Sequence, residues 1–358
     1  MANKKIKVGV IFGGRSGEHE VSIVSAQSVM KALDRKKYQV IPIGITKDGY
    51  WLIENPVAAL KLGKSKEKGT RLFPEEFLKR CDVVFPVLHG PYGEDGTIQG
   101  VFEMANIAYV GAGVLGSAIG MDKIIQKQLF KEAGLSIVEY DWFLTKEWSK
   151  NKQKIISRLE KNLKYPMFTK PVNLGSSVGI GKCHNQNELI TGIIEAARYD
   201  RKIIVEQGIE NIHEIEVSVL GNEKPAASKP GEIIASNEFY DYDAKYVDGK
   251  SQAIIPAKLP QKTIKEIQAI AIKAFQTLDL AGMARVDFFV KRGNFKVYLN
   301  EVNTIPGFTS ISMYPKLWQA SGLSYEKLLE KLIDLAIKRH QEKNQFATSY
   351  QPKKDWYK

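Results

Sequence analysis

The chain has 358 residues, of which 44% are hydrophobic and 26% charged, with two cysteines and a formal charge of +12. That composition excludes collagen, coiled coil and wholesale disorder, and roughly 150 residues per domain predicts two or three domains. Two cysteines cannot frame a disulfide scaffold, no apolar run approaches the roughly 20 residues of a membrane span, and the short apolar stretch Val8–Phe12 makes no secretory signal, so the expectation is a cytoplasmic protein with no membrane partner.

Ile6–Phe12 is rich in β-formers and ends in Gly13-Gly14, and a polar helical pattern runs on from Ser16. Tyr38–Ile45 is a second strand, and Asp48-Gly49 turns the chain into Tyr50–Ile53. Asp82–Leu88 reads as a buried strand ending in His89-Gly90, Thr97–Ala105 as a helix and Ala108–Val110 as a short strand. This alternation predicts a parallel α/β sheet, with the glycine-rich stretch 111–120 as a boundary. Beyond it, Met121–Ala133 has helical apolar spacing, and Lys154–Asn162 and Glu188–Ala197 are helical. Met167–Val172, Ile203–Glu206 and Glu214–Leu220 are strands. Thr263–Leu278 is a long amphipathic helix, Arg285–Val290 and Phe295–Asn303 form an antiparallel hairpin turning at Gly293-Asn294, and Tyr325–Lys338 is a terminal helix. Strands and helices without strict alternation predict an α+β second part.

The positive excess gathers in Lys61–Arg71 and Lys338–Lys358, both read as solvated surface. No zinc spacing, RNP-like aromatic pattern or basic heptad accompanies it, so no nucleic acid is expected, and an anionic small ligand such as a nucleotide suits the charge.

Five segments carry candidate chemistry. In a strand, residues two apart share a face, so Arg285 and Asp287 share one, as do Glu301 and Asn303. A hairpin centred on Asn294 pairs 285 with 303 and 287 with 301, and all four side chains then converge. Two carboxylates and an amide are oxygen ligands suited to Mg²⁺, and a divalent cation relieves a repulsion of roughly 4 kcal/mol between like charges about 4 Å apart. The alternative is a surface hairpin with an Arg–Asp pair. The run Lys170-Pro-Val-Asn-Leu-Gly-Ser176-Ser177-Val-Gly-Ile-Gly181 follows a strand, and its glycines and serines suit an anion; by itself it is equally a turn. Gly13–Glu20 places Glu18 at a strand end, where α/β sheets bind ligands, although Ser16 as N-cap with acids in the first turn explains the same residues. His89–Gly96 follows another strand and would bring His89 near Glu18, or is a turn-rich loop. Glu238–Tyr246 mixes aromatic and charged residues as a lid or a solvated loop would.

Together and in this order, the five segments resemble the D-alanine–D-alanine ligases of the ATP-grasp superfamily over residues 6–325. The resemblance implies an ATP-grasp fold with an N-terminal parallel α/β domain (1–120), a central subdomain (121–210) and a C-terminal subdomain with the metal site and lid (211–358). It implies ATP-dependent joining of two D-alanines through a D-alanyl phosphate for peptidoglycan precursor synthesis, with two Mg²⁺ or Mn²⁺ ions and a homodimeric state. Glu18 resembles the residue that binds the first D-alanine's ammonium, and His89 the one near its carboxylate. Lys123 and Lys170 resemble the phosphate and adenine lysines, Glu206, Gln207 and Ile209 the adenine-edge segment, and Glu214 the ribose acid. Ser176 and Ser177 sit in the implied phosphate loop. Lys245 and Tyr246 belong to the implied mobile loop, with Tyr246 similar to a tyrosine that contacts Ser176 and Glu18. Asp287, Glu301 and Asn303 resemble the metal ligands, with Asn303 also on the nucleotide. Arg285 and the Gly307 backbone resemble the oxyanion stabilisers, and Ser312 and Met313 the pocket for the second carboxylate. His213 and Gln207 stand where family members often carry Arg and Lys, which bears on nucleotide affinity.

Two rival readings remain at this level. A ligase joining D-alanine to D-lactate is disfavoured by Tyr246, and a nucleotide-binding module without activity is disfavoured by the set Arg285, Asp287, Glu301 and Asn303. A nicotinamide dehydrogenase fails because no G-x-G-x-x-G follows the first strand.

Overall fold

The computed structural model describes residues 4–53, 55–61, 75–234 and 252–350. Three sheets follow one another along the chain. The first contains β1 (Ile6–Gly13), β2 (Tyr38–Ile45), β3 (Trp51–Leu52), β4 (Val83–Val87) and β5 (Ala108–Tyr109) in the order β3-β2-β1-β4-β5. β1 runs parallel to β2 and β4, and β4 to β5, while β3 is antiparallel. Strands buried on both faces read as continuous apolar runs, and β1 does. Its Val8, Val10 and Phe12 enter one core with Ile23, Ala26 and Val29 of helix α1 (His19–Ala32), while Ile11 enters another with Ile98 and Phe102. Two short helices, α2 (Pro56–Lys61) and α3 (Glu75–Leu78), precede β4, and α4 (Thr97–Met104) follows it.

The glycine stretch expected to be a boundary contains a helix, α5 (Val114–Met121). Glycine serves packing there: a Cβ on Gly116 would lie 2.7 Å from the Asp279 carbonyl, and one on Gly120 2.5 Å from Thr304 Cγ2. The single helix expected over 121–133 is broken at Asp122, whose carboxylate accepts from the backbone N–H groups of Ile124 and Ile125 and so caps α6 (Lys123–Glu132). The second sheet, in the order β6-β9-β7-β8, is antiparallel throughout. It contains β6 (Tyr140–Leu144), β7 (Met167–Pro171), β8 (Gly181–Cys183) and β9 (Lys202–Gln207), covered by α7 (Thr145–Asn162) and α8 (Gln186–Ala196). The helix expected from Lys154 begins at Thr145, and Asn151 kinks it; the polar run before 154 lacks the apolar spacing that would reveal it.

The third sheet contains β10 (Ile212–Gly221), β11 (Ala226–Ala227), β12 (Gly231–Ile234), β13 (Gln252–Ile254), β14 (Gly282–Lys291) and β15 (Val297–Asn303), ordered β13-β12-β10-β14-β15 with β11 beside β10. Helix α9 (Gln261–Thr277) packs Ile267, Ala271, Ala274 and Phe275 against it. β15 is an edge strand, and Gln126 of α6 covers it: the side chain accepts from Val302 N at 3.0 Å and donates to Val302 O at 3.2 Å. Two helices close the described chain, α10 (Met313–Ala320) and α11 (Tyr325–Lys343). The last returns to the first sheet, where Leu328, Leu329, Leu332 and Ile333 share a core with Val8, Phe12, Phe85 and Val87. Arg339 holds it there by donating to the Gly111 and Tyr109 carbonyls.

Candidate functional site

A cavity of about 430 Å³ opens between the second and third sheets. Its floor is the hairpin of β14 and β15. Arg285 faces Asn303 and Asp287 faces Glu301, as the sequence predicts, but the register slips by one beyond them, so that Phe288 faces Leu299. Asn300 is therefore a bulge residue. The slip has a purpose in geometry: Leu299 lies in the core, and in an unbroken strand Glu301, two residues on, would share that face. With the bulge, Glu301 lines the cavity beside Asp287.

Arg285 donates from Nε to Asp287 Oδ1 at 2.8 Å and from Nη2 to Asp287 Oδ2 at 2.7 Å, a forked pair. Glu216 of β10 stands 3.2 Å from the same Nε. Burial opposes the guanidinium's charge, but Asp287, Glu216 and Glu301 outweigh it and raise the Arg285 pKa. Asn303 Nδ2 donates to Asp287 Oδ2 at 3.0 Å. Two carboxylates and an amide are hard oxygen donors of the kind Mg²⁺ takes together with water and phosphate oxygens, so the residues fit such an ion. Among the described residues, no three His, Cys, Asp or Glu side chains form a metal-holding group on their own.

The opposite wall carries the glycine–serine loop. Ser176 (φ 51°), Ser177 (φ 59°) and Gly179 (φ 71°) take left-handed conformations, a turn geometry of the kind that can present backbone N–H groups to an anion. Two non-glycine residues held there store backbone strain of the sort that collects at functional sites. The Ser176 hydroxyl donates to Glu18, joining this loop to the first sheet, and Gly175 permits the approach because a Cβ would come within 3.0 Å of the Glu18 carboxylate. Lys123 donates to the Leu174 carbonyl at 2.8 Å and stands 3.5 Å from Glu301.

Lys170 lies 2.6 Å from Glu206 Oε2, and Lys127 lies 2.9 Å from Glu206 Oε1. Burial alone would raise the Glu206 pKa, but the two ammonium groups hold it at about 2. The lysines shift in opposite directions. Burial pushes Lys127 down, with Lys170 repelling it, whereas Lys170 is raised against burial by Glu206, Glu301 and Glu214 together. Glu214 and Ile209 line the cavity, while the Gln207 side-chain oxygen accepts from Lys164 N at 3.0 Å and is thereby occupied.

The amino-acid side of the expected site is less tightly gathered. Glu18, His89, Gly307, Ser312 and Met313 lie outside the lining of this cavity, and Glu18 reaches it through Ser176. Ser16 accepts from Glu18 N at 3.1 Å rather than capping α1, which starts at His19. His89 is buried, with Nδ1 3.0 Å from the Ile305 carbonyl and Nε2 3.4 Å from Ser25 Oγ. Burial pushes its pKa down against the pull of Glu18, so it stays neutral. Ser312 Oγ accepts from Thr309 N at 3.0 Å, and a Cβ on Gly307 would come within 2.7 Å of that oxygen. Met313 packs with Ile233 and Leu317. Lys245 and Tyr246, with the rest of the expected lid, lie outside the described residues.

Three residues escaped the sequence reading. Lys127 sits one helical turn after Lys123, and Glu216 two strand positions after Glu214, so both carried a spacing signal. Glu94 carried none. Its carboxylate accepts from Gly90 N at 2.7 Å and Ile305 N at 2.9 Å, tying the His89 loop to the chain after β15. Burial and the neighbouring Glu18 push its pKa from 4.5 to about 8. A raised carboxyl is protonated when folded while the unfolded chain ionises, so its contribution to stability is present below pH 4.5 and is lost as pH rises through about 8. The stability of the wild type relative to Glu94→Gln should therefore fall across this window, by on the order of a few kcal/mol. Urea melts of both proteins at several pH values check it; a constant difference would contradict the shift.

A parallel α/β domain followed by two antiparallel sheets that enclose a cavity with a strained glycine–serine loop, facing lysines and a paired acid corner is the architecture of an ATP-grasp enzyme. Family models described as D-ala D-ala ligase N-terminus and D-ala D-ala ligase C-terminus match residues 7–112 and 129–334. The D-alanine–D-alanine ligase of Natranaerobius thermophilus is 49% identical over 97% of this chain and 99% of its own. Among solved structures, the D-alanine–D-alanine ligase of Coxiella burnetii superposes with a TM-score of 0.80 at 37% identity, covering 95% of this chain and 96% of that one. The VanG D-Ala:D-Ser ligase of Enterococcus faecalis gives 0.81, also at 37%, covering 93% and 100%. The chain belongs to the D-alanine–D-alanine ligase family.

Proposed function

We propose that this protein joins two D-alanines to D-alanyl-D-alanine at the expense of ATP, for cell-wall peptidoglycan, and that the cavity between the second and third sheets holds the nucleotide. The observation that carries the site assignment is the convergence of Arg285, Asp287, Glu301 and Asn303 on the cavity that also contains the Ser176–Ser177 loop and Lys170.

A carboxylate is a poor acyl donor because its leaving group would be oxide. Phosphorylation of the first D-alanine by ATP supplies a stable leaving group. Attacking carboxylate and γ-phosphoryl group are both anionic, and their approach must be screened. Lys170, Lys123 and the N–H groups of the strained loop provide positive potential on one side. Mg²⁺ (or Mn²⁺) bound at Asp287, Glu301 and Asn303 would supply charge neutralisation of the phosphates on the other. Glu18 orients the first D-alanine through its ammonium, and the Ser176 hydroxyl fixes the Glu18 carboxylate. The second D-alanine, as a free amine, attacks the acyl carbon. Arg285 and the Gly307 N–H stabilise the developing oxyanion. An acyl phosphate is labile to water, and Lys245 and Tyr246, which lie outside the described residues, would belong to the segment that excludes it.

The three sheets correspond in this reading to domains 1–120, 121–210 and 211–358, and each sheet's strands fall within one range. The reading includes a homodimer, which sedimentation tests. It also places the protein in the cytoplasm, a setting in keeping with the buried free thiols of Cys81 and Cys183. No helix among the described residues is long and apolar enough to cross a membrane. Overall likeness does not select the second substrate, because the D-Ala:D-Ser and D-Ala:D-Ala structures superpose equally well. Phosphate release with D-alanine, L-alanine, D-serine or D-lactate, with products identified by mass, tests the reaction. Release with D-alanine and a dipeptide product support it; no D-alanine-dependent release would overturn it.

A further inference from the structure

Lys127 takes no part in the reaction as derived above, yet it is only 2% exposed. Taking an ammonium out of water costs several kcal/mol unless partners compensate. Its partners come from both walls of the cavity. On the second sheet Glu206 Oε1 lies at 2.9 Å, and on the third the Asn300 carbonyl accepts at 3.3 Å. Each contact bears on a residue that lines the cavity, Lys170 through Glu206 and Glu301 through Asn300.

Glu206 is shared. With two oxygens and two lysines, it divides its charge between Lys127 and Lys170. Were Lys127 absent, the whole carboxylate would fall to Lys170, and a nucleotide would have to compete with it for that ammonium. Asn300 is the bulge residue of β15, the position that turns Glu301 from the core face onto the cavity face. A bulge leaves its extra residue outside the ladder, and the Lys127 ammonium takes up that carbonyl. Gln126, the preceding residue, grips Val302 just beyond. The two neighbours on α6 thus brace the strand on either side of Glu301.

We propose that Lys127 is a positioning residue for the nucleotide: it shares Glu206 so that Lys170 stays available to ATP, and it holds the Asn300 bulge that aims Glu301. The inference rests on the cavity being the ATP site. Direct calorimetric titration of ATP and Mg²⁺ into the full chain, without D-alanine, tests it. Lys127→Met should weaken ATP binding roughly 10–100-fold, the usual effect of losing a residue that orients a primary ligand. The KM for D-alanine should stay within about twofold and kcat at saturating ATP should fall far less than affinity, a split that general loss of structure does not produce. If Lys127→Met fails to fold because Glu206 Oε1 is left buried without a partner, Glu206→Gln and the double variant carry the comparison. Because Lys127 acts through Glu206 as well as through the Asn300 bulge, its change should add less than about tenfold to the effect of Glu206→Gln, whereas independent sites would multiply. ATP binding by Lys127→Met within about twofold of wild type, equal changes in ATP and D-alanine parameters, or multiplicative variants would each overturn the proposal. A wild-type protein that binds no ATP would instead overturn the assignment of the cavity.

Discussion

Arg285→Ala should lower kcat by roughly 10²–10³-fold at saturating ATP and D-alanine, with the fold retained. The expectation comes from removing one preorganised donor from a developing oxyanion, an effect of about 2.7–4 kcal/mol in comparable sites. The structure adds a second consequence. Arg285 is the partner of Asp287 at 2.7–2.8 Å and of Glu216 at 3.2 Å, so its loss leaves these acids uncompensated where the proposed phosphates would lie. Arg285→Lys separates the two effects. It restores the charge but not the forked geometry, so a rate that recovers fully in the lysine variant would assign the role to charge alone. Steady-state rates with circular dichroism and thermal melts decide the matter. A folded alanine variant that turns over at the wild-type rate would remove Arg285 from the mechanism.

Much of the site was legible because strand parity is a strict rule. Residues two apart share a face, so the sequence alone puts Arg285 with Asp287 and Glu301 with Asn303 on shared faces that converge across the hairpin. The bulge at Asn300 was not legible. Nothing in the run Val297-Tyr-Leu-Asn-Glu marks it, and the symmetric pairing gave the right partners at the acid corner but the wrong ones near the turn, where Val290 faces Val297. Strongly apolar elements such as β1 and β4 declared themselves, because parallel strands buried on both faces leave continuous runs of Val, Ile and Phe. The short strands β8 and β11 did not, since three or two residues carry no period. Helix α5 was hidden by glycines that serve close packing. Long-range choices were also invisible: that α11 returns to the first sheet, or that Lys127 meets Glu206, depends on tertiary placement that local pattern does not encode.

The acid corner gives the other large effect. Asp287 is bound on both oxygens by Arg285, and Oδ2 also accepts from Asn303 at 3.0 Å. A cation bound at Asp287 would therefore share an anion already neutralised in part, and Glu301 and the Asn303 amide oxygen would have to supply the rest of its protein ligands. Asp287→Asn removes the charge while keeping shape and one oxygen. Losing a group that merely orients a metal ligand typically costs 10–100-fold in affinity, and a ligand itself should cost at least as much, so the Mg²⁺ concentration for half-maximal rate should rise by about that factor. Arg285 would at the same time lose its forked partner and turn toward Glu216 at 3.2 Å, so kcat at saturating Mg²⁺ should fall as well. Binding of Mn²⁺ followed by electron paramagnetic resonance, in the presence of ADP, separates metal affinity from rate. Unchanged Mn²⁺ binding alongside a reduced kcat would show that Asp287 serves Arg285 and not the cation, because only the guanidinium would then have lost a partner.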